Sequence, residues 1–279
     1  MERTDATVDT AFVLGGGGIL GAHEVGMLQA LAEAGITPDV VIGTSVGAIN
    51  GAFVAADPAG AAERLAGLWQ GPDLQQAFSG NLLGRATTLA RSRTNLHAIE
   101  PLRAMLERGL PVATFAELEL PFHCVAASIE RASAHWFTSG ALAPAVLASC
   151  AVPGLLPPVE VDGEHYFDGG LVHSIPVGRA VELGCRVIYV LQVGRIESPL
   201  TPPKRLWEVG LIAFEIARRH RFHEEMASLP DEVSVHVLPS GASSRSPDLS
   251  QLRYRDKTNV GVNIERAYAA SANYLAERA

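Results

Sequence analysis

The sequence predicts an α/β fold built on a mostly parallel sheet. Two short apolar runs that suit buried strands, residues 11–14 and 40–42, alternate with helical patterns over about 21–34 and 46–56. This order of strand, helix, strand and helix is typical of parallel strands joined by right-handed crossovers. The chain has 279 residues, of which 48% are hydrophobic, so it can bury a large core, and we expect a single domain over 1–279.

The rest of the chain continues this alternation less regularly. We predict a helix over 99–107, with Pro101 in its first turn, and long helices over 206–226 and 263–277. Further strands are predicted at 122–127, 135–138, 186–193 and 233–238, and a hairpin over 161–167 that turns at Asp162-Gly163. Residues 71–94 contain several glycines and arginines, and we expect an irregular or weakly helical excursion there that covers a cleft.

Charge and cysteine content argue against several classes of protein. The formal net charge is -8 and no block of Lys or Arg stands out, so we expect no binding of nucleic acid through its phosphates. The cysteines Cys124, Cys150 and Cys185 are scattered and odd in number, which indicates neither a disulfide framework nor a zinc site. They fit a reducing compartment.

The start of the chain and its hydropathy bear on location. The first ten residues are polar and partly acidic, without the pattern of a signal peptide. No uninterrupted apolar run reaches the roughly 20 residues that span a bilayer. We therefore expect a cytoplasmic protein for which any contact with a membrane is peripheral, and the oligomeric state is left open.

A glycine-rich loop joins the first predicted strand to the first helix, and its residues 16–21 read GGGILG. Glycines let the backbone approach a ligand closely, and a helix N-terminus supplies free N–H groups with a partial positive charge. The loop therefore suits an anion, either a phosphate or the oxyanion that forms when a nucleophile adds to an ester. A dinucleotide site would favour an acidic residue at the end of the second strand, where Ser45 stands instead.

Ser45 lies in a second glycine-bearing turn, between the second strand and the second helix. The turn reads Gly43-Thr44-Ser45-Val46-Gly47. Glycines on both sides of a serine let the backbone form a tight corner that holds the hydroxyl out from the sheet, at the N-terminus of the following helix. A serine presented in this way is suited to attack a carbonyl carbon. The alternative is a serine in an ordinary β–α turn.

A third turn, Asp168-Gly169-Gly170, follows the strand that ends at Phe167. An aspartate at the end of a strand, backed by two glycines, is a candidate catalytic carboxylate, and the alternative is a simple Asp-Gly turn. A free aspartate is a weak base with a pKa of about 3.9. Burial without a cationic partner would raise that pKa and make the carboxylate a better base.

The order of these three motifs resembles that of the patatin-like phospholipase family. Two further segments support the resemblance: residues 148–158, which carry prolines upstream of the aspartate, and residues 23–28, which are similar to bacterial members. The resemblance covers about 12–193. It implies a three-layer α/β/α sandwich around a mostly parallel sheet, and hydrolysis of lipid acyl esters without a metal or other cofactor.

The resemblance also implies roles for individual residues. By position, Ser45 is the nucleophile and Asp168 is its base, in a serine–aspartate dyad that forms an acyl-enzyme and uses no histidine. The oxyanion hole is formed by the amides around three glycines: Gly16, Gly17 and Gly18. Five further glycines support the motifs: Gly21, Gly43, Gly47, Gly169 and Gly170. The implied partner is a lipid or another acyl ester as substrate.

The chain departs from the family pattern at Leu20, where relatives commonly carry Lys or Arg. That cation could neutralise a phosphate headgroup or the developing oxyanion. Its absence weakens the case for charged phospholipids and keeps neutral esters and acylglycerols open as substrates. A second departure follows the aspartate, where His173 and Ser174 replace residues that are often Asn or Asp.

Several alternatives stay open. A Ser-His-Asp triad requires a histidine after the aspartate, and four are available: His173, His220, His223 and His236. Against a triad, Ser45 comes too early for the usual nucleophile of an α/β-hydrolase. An esterase or thioesterase for soluble acyl substrates, or a catalytically silent lipid-binding protein, would keep the same fold. The helix over 206–226 either packs on the core or meets lipid at an interface.

Overall fold

The computed structural model describes residues 8–71, 97–193, 199–241 and 260–278. Of the excursion expected over 71–94, only Gly71 falls within these ranges, and the remainder lies outside the described residues. Within the described ranges, eight strands form one sheet, and helices cover both of its faces.

The sheet combines parallel and antiparallel neighbours. Its strands are β1 (Thr10–Leu14), β2 (Val40–Thr44), β3 (Phe122–Ser128), β4 (Ser133–Phe137), β5 (Val159–Val161), β6 (Glu164–Asp168), β7 (Val187–Leu191) and β8 (Ser234–Val237). Their order is β5-β6-β3-β2-β1-β7-β8, and β4 also pairs with β3. Parallel pairing joins β1 to β2 and to β7, β2 to β3, and β7 to β8, whereas β4, β5 and β6 pair antiparallel. The predicted mostly parallel sheet is confirmed.

The helices vary from one and a half turns to about six. They are α1 (Ala22–Glu33), α2 (Val46–Ala56), α3 (Ala61–Gln70), α4 (Glu100–Gly109), α5 (Leu142–Ser149), α6 (Val177–Glu182), α7 (Leu206–Ala227) and α8 (Val260–Ala276). Short 3-10 helices occupy Gly18–Gly21, Phe115–Glu117 and Gly169–Leu171. In the described ranges, no helix combines the length and the apolar character needed to cross a bilayer.

Strand residues alternate between two cores, one on each face of the sheet. Phe12 and Leu14 of β1 belong to the first core, which also holds the buried faces of α1 to α5 and of α8. Ala11 and Val13 belong to the second core, with α6 and apolar side chains of α7. Since successive side chains of a strand point to opposite faces, this alternation places a helical layer on each side. The three-layer α/β/α sandwich is therefore confirmed.

Most elements occur where the sequence predicts them. The bounds of α2 agree with the prediction, and Asp162 and Gly163 turn the β5–β6 hairpin with φ angles of 52° and 80°. Three helices, α3, α5 and α6, were not predicted. The signal for α3 is present in the sequence, because Ala61, Leu65 and Trp69 recur at helical spacing and are buried. By contrast, α5 and α6 have only 8 and 6 residues, too few for a clear period.

Candidate active site

The glycine loop and Ser45 leave the sheet side by side. β1 and β2 are adjacent parallel strands, and Leu14 pairs with Gly43, so their carboxyl ends lie at the same edge. The two turns approach closely: a Cβ on Gly47 would lie 2.3 Å from the Leu14 carbonyl oxygen, and one on Gly43 would lie 2.6 Å from the Gly47 carbonyl oxygen. Neither glycine position has room for a side chain.

Ser45 occupies a strained turn at the start of α2. Its φ of 56° and ψ of -124° are rarely adopted by residues other than glycine, at a cost of about 1–3 kcal/mol. Two contacts hold the backbone there: the Ser45 amide donates to the Ser149 hydroxyl at 2.8 Å, and the Ser45 carbonyl accepts from the amides of Ala48 and Ile49. This is the geometry of a nucleophile elbow.

We expect Gly47→Ala to disrupt this turn. The added methyl group would collide with the backbone of Leu14, which moves only if β1 moves, so the free energy of unfolding should fall by about 1–3 kcal/mol. Gly67→Ala is the matched control, because a Cβ there meets nothing within 4 Å. Since alanine suits a helix better than glycine, the control should gain up to about 1 kcal/mol. Urea unfolding compares the two, and equal stabilities would contradict a crowded turn.

Asp168 lies at the end of β6, level with the end of β2. The central strand β3 separates the two: Thr44 pairs with Val125, and Asp168 pairs with the next residue along β3. The carboxyl group is buried, and its Oδ1 accepts a hydrogen bond of 2.7 Å from the Gly170 amide. The turn packs tightly on β3, since a Cβ on Gly169 would lie 2.2 Å from the Val125 carbonyl oxygen.

Burial controls the charge of the Asp168 carboxyl group. It raises the pKa from 3.8 to about 6. The neighbouring Ser45 hydroxyl, the hydrogen bond from the Gly170 amide and the positive charge of Arg218 act in the opposite direction. No hydrogen bond of ordinary length joins the Ser45 hydroxyl to the Asp168 carboxyl group. The buried Oδ2 of Asp168 has no hydrogen-bond partner within the described residues. The structure thus brings Ser45 and Asp168 together, and a carboxylate with a raised pKa beside a hydroxyl is suited to accept its proton.

The segment after α5 supports both side chains. Ser149, at the end of α5, accepts the hydrogen bond from the Ser45 amide, and the Ala151 carbonyl accepts one of 2.9 Å from the Asp168 amide. Cys150, between these two residues, is buried, and burial together with the nearby Asp168 carboxylate raises the pKa of its thiol. The proline-bearing segment noted in the sequence therefore begins with the contacts that hold the serine and the aspartate.

The glycine loop presents two open amides. The Gly16 amide donates to the Ser174 carbonyl at 2.9 Å, which corrects the expectation that this amide is available to an oxyanion. The amides of Gly17 and Gly18 donate to no acceptor in the part of the chain that the structure describes. Gly18 has a φ of 59°, and a Cβ on Gly17 would lie 2.4 Å from the Val193 side chain, so the loop requires glycine at both positions.

A buried polar network supports the other end of the glycine loop. The Asn50 side chain donates to the Gly21 carbonyl at 3.0 Å and to the Glu24 carboxyl group at 2.7 Å, and it accepts from the Trp69 indole at 3.0 Å. Burial raises the pKa of Glu24 well above its usual range, which favours the neutral acid. A Cβ on Gly21 would lie 2.4 Å from the Val46 side chain, so α1 and α2 meet closely at this point.

The long helix α7 also reaches the site, which no motif in the sequence predicts. Phe214 is buried against the Asp168 turn, since a Cβ on Gly170 would lie 2.8 Å from its ring. Arg218 donates to the glycine loop, and His173 pairs through Nδ1 with Glu225 at 2.7 Å. The amphipathic pattern of α7 indicated a buried face, but no local motif connects it with a loop 202 residues away in sequence.

The histidines do not join the serine and the aspartate. Within the described residues, no histidine ring makes a hydrogen bond to either side chain. Three of the candidates have other partners: Glu225 for His173, Glu224 for His220 and Tyr189 for His236. The described ranges also contain no group of three or more His, Cys, Asp or Glu side chains placed to hold a metal ion.

Comparison with known proteins gives one family. The family model described as patatin-like phospholipase matches residues 12–181. Lysophospholipase nte1 of Emericella nidulans is 34% identical over 200 residues, which are 67% of this chain and 12% of that protein. Patatin-like phospholipase domain-containing protein 7 of Rattus norvegicus is 30% identical over 194 residues, which are 68% of this chain and 14% of that protein. The chain therefore matches only a small part of each relative.

Among solved structures, VipD from Legionella pneumophila is similar with a TM-score of 0.47 and 14% identity. The alignment covers 98% of this chain and 67% of that chain. The type III effector protein ExoU has a TM-score of 0.40 and 16% identity, over 98% of this chain and 53% of its own.

Proposed function

The chain belongs to the patatin-like phospholipase family, and we propose that it is a serine acyl hydrolase that cleaves carboxylic esters of lipids. The observation that carries this proposal is the pairing of Ser45, in its strained turn, with the buried Asp168. The relatives named lysophospholipase support a lipid ester as substrate. Both catalytic groups come from this chain, and the proposal requires no metal or cofactor.

The first half of the proposed reaction transfers the acyl group to the enzyme. The Ser45 oxygen forms a bond to the ester carbonyl carbon while its proton passes to the Asp168 carboxylate. The carbonyl oxygen becomes an oxyanion, which the open amides of Gly17 and Gly18 stabilise. The tetrahedral intermediate then collapses: the bond to the leaving alcohol breaks, and that alcohol takes the proton from Asp168.

The second half releases the acyl group. A water molecule gives its proton to the Asp168 carboxylate and adds to the acyl-enzyme, and the same amides stabilise the second oxyanion. Collapse returns the proton to the Ser45 oxygen and releases a fatty acid. One carboxylate therefore serves as base in both halves, for which a pKa of about 6 suits it better than an ordinary aspartate.

A substrate panel tests the function. Purified protein is incubated with a lysophospholipid, an anionic diacyl phospholipid, a monoacylglycerol, a short nitrophenyl ester and an acyl thioester, and released acid or thiol is measured. Because Leu20 leaves the glycine loop without its own cation, we expect hydrolysis of the neutral monoacylglycerol in preference to the anionic phospholipid. A strong preference for the anionic phospholipid would contradict this substrate class. Cleavage of the soluble esters alone would favour an esterase. If no substrate of the panel is cleaved, a binding protein is favoured.

The pH dependence of hydrolysis should report Asp168. A base must be ionised to act, so kcat/KM should fall about tenfold per pH unit below about pH 6 and reach a plateau above it. A profile measured with a soluble nitrophenyl ester separates this ionisation from changes in lipid packing. If kcat/KM instead falls only below about pH 4, the pKa of a free aspartate, the carboxyl group is not buried in the working enzyme.

A further inference from the structure

Arg218 is a buried cation that lies in α7, outside the segment that the family model matches, 12–181. Its guanidinium uses all three nitrogens. Nη2 donates to the Gly16 carbonyl at 2.6 Å, Nε donates to the Ser174 hydroxyl at 2.5 Å, and Nη1 donates to the Glu215 carboxylate at 3.0 Å. Such a planar fork fixes the direction of each bond, so Arg218 ties the glycine loop to α7.

The contact with Gly16 bears directly on the oxyanion donor. The Gly16 carbonyl and the Gly17 N–H belong to one peptide unit, which is planar and trans. In a trans unit the two groups point in opposite directions, so a donor that holds the carbonyl also aims the N–H. The Gly17 amide has no acceptor of its own within the described residues that would otherwise fix this peptide.

Ser174 closes a small ring of contacts around the same loop. Its carbonyl accepts from the Gly16 amide at 2.9 Å, and its hydroxyl accepts from Arg218. Both flanking peptide units of Gly16 are thereby held, one by the Ser174 backbone and the other by the guanidinium. The neighbouring His173 is also held by α7, through Glu225. The two departures from the family pattern after the aspartate are therefore the partners of this helix.

We propose that Arg218 is a positioning residue for ester hydrolysis, which orients the Gly17 amide toward the oxyanion by holding the Gly16 carbonyl. This inference rests on the proposed function. The contact comes from α7 and not from the glycine loop itself, because Nη2 of Arg218 reaches the Gly16 carbonyl from a position 202 residues away in sequence. All three nitrogens of the Arg218 guanidinium donate to protein groups, the third to Glu215, so Arg218 orients the peptide rather than binding a free anion.

Arg218→Gln and Arg218→Lys test the proposal. Arg218→Gln loses the fork, and we expect kcat to fall about 10- to 100-fold with KM within about threefold, because the misaimed amide matters only in the transition state. Arg218→Lys keeps the charge but holds one contact at most, so kcat should fall by a smaller factor.

The pH profile separates positioning from general damage. The Arg218 charge lowers the pKa of Asp168. The thiols of Cys124 and Cys150 also lie near Asp168, but burial raises the pKa of each, so both are neutral near pH 7 and add no charge beside it. The acid limb of kcat/KM should therefore move to higher pH in Arg218→Gln and stay in place in Arg218→Lys. A purely structural defect would leave the acid limb in place in both variants.

Two controls complete the test. Arg221→Gln removes a half-exposed cation from the same helix and should leave kcat within about twofold of the wild type. Because Arg218→Gln leaves the buried Glu215 with Arg219 as its only cation among the contacts described, the double variant Arg218→Gln/Glu215→Gln removes that charge and should show the same kinetic defect. Wild-type kcat and an unmoved limb in the double variant would overturn the proposal. Failure of the proposed function is distinct, since the wild-type protein would then hydrolyse no ester.

Discussion

Ser45→Ala should lower kcat/KM for a cleavable ester by on the order of 10⁴-fold or more while leaving the fold intact. In the proposed mechanism the Ser45 hydroxyl is the group that forms the acyl-enzyme, and alanine has no atom that can take this role. The contacts that hold the turn come from the backbone of Ser45, namely its amide to Ser149 and its carbonyl, so alanine keeps them. Initial rates of ester hydrolysis measure the loss of kcat/KM, and far-UV circular dichroism checks that the fold is intact.

A companion variant links the same residue to stability. Ser45 holds a φ of 56°, which glycine adopts freely and alanine does not. Ser45→Gly should therefore be more stable than Ser45→Ala by about 1 kcal/mol, although both are inactive. Denaturant unfolding of the pair measures this difference. Substantial hydrolysis by either variant would show that another residue is the nucleophile.

Asp168→Asn should lower kcat/KM by on the order of 10³- to 10⁴-fold. The amide has nearly the same shape as the carboxylate, and its oxygen can still accept from Gly170, but it cannot accept the proton of Ser45. His236→Ala is the control for a triad, since His236 stacks on Tyr189 at the far edge of the sheet and should leave the rate within about twofold. A loss of activity in the histidine variant, with the fold intact, would contradict the dyad.

The same substitution should make the protein more stable at neutral pH. The folded-state pKa of Asp168 is raised from 3.8 to about 6, so the folded form disfavours the ionised carboxylate by about 3 kcal/mol. The stability associated with the neutral acid is fully present below about pH 4 and is lost as the pH rises through about 6. Asp168→Asn avoids this loss, so its stability advantage should appear above about pH 6 and vanish near about pH 4 in urea titrations. An advantage independent of pH would contradict the raised pKa.

The motifs made much of the site predictable from sequence, because each encodes a local backbone geometry. Glycines around Ser45 and after Asp168 stand where the structure has no room for a side chain, as at Gly47 and Gly169. These glycines, together with the apolar runs that precede the two turns, indicated which strands end at the site. The pairing of Thr44 with Val125, one residue short of the partner of Asp168, then brings the two turns to the same level.

The remaining features depend on contacts between distant segments, which no local pattern carries. The engagement of the Gly16 amide by Ser174 depends on where the loop after Asp168 returns to the glycine loop. In the sequence Arg218 stands beside Arg219 and close to Arg221, a pattern typical of a solvated helix face, yet the structure buries it against Gly16. The sequence showed the amphipathic face of α7 but not the strand edge on which that face packs.

The most direct test of the serine–aspartate pair is the rate and site of labelling by a fluorophosphonate, measured by mass spectrometry of the modified peptides. The proposed mechanism predicts one adduct, on Ser45, formed rapidly above about pH 6 and slowed by orders of magnitude in Asp168→Asn. The matched control His236→Ala should label at the wild-type rate. An adduct on a different residue, or equal labelling of Ser45 in the wild type and Asp168→Asn, would contradict the central claim.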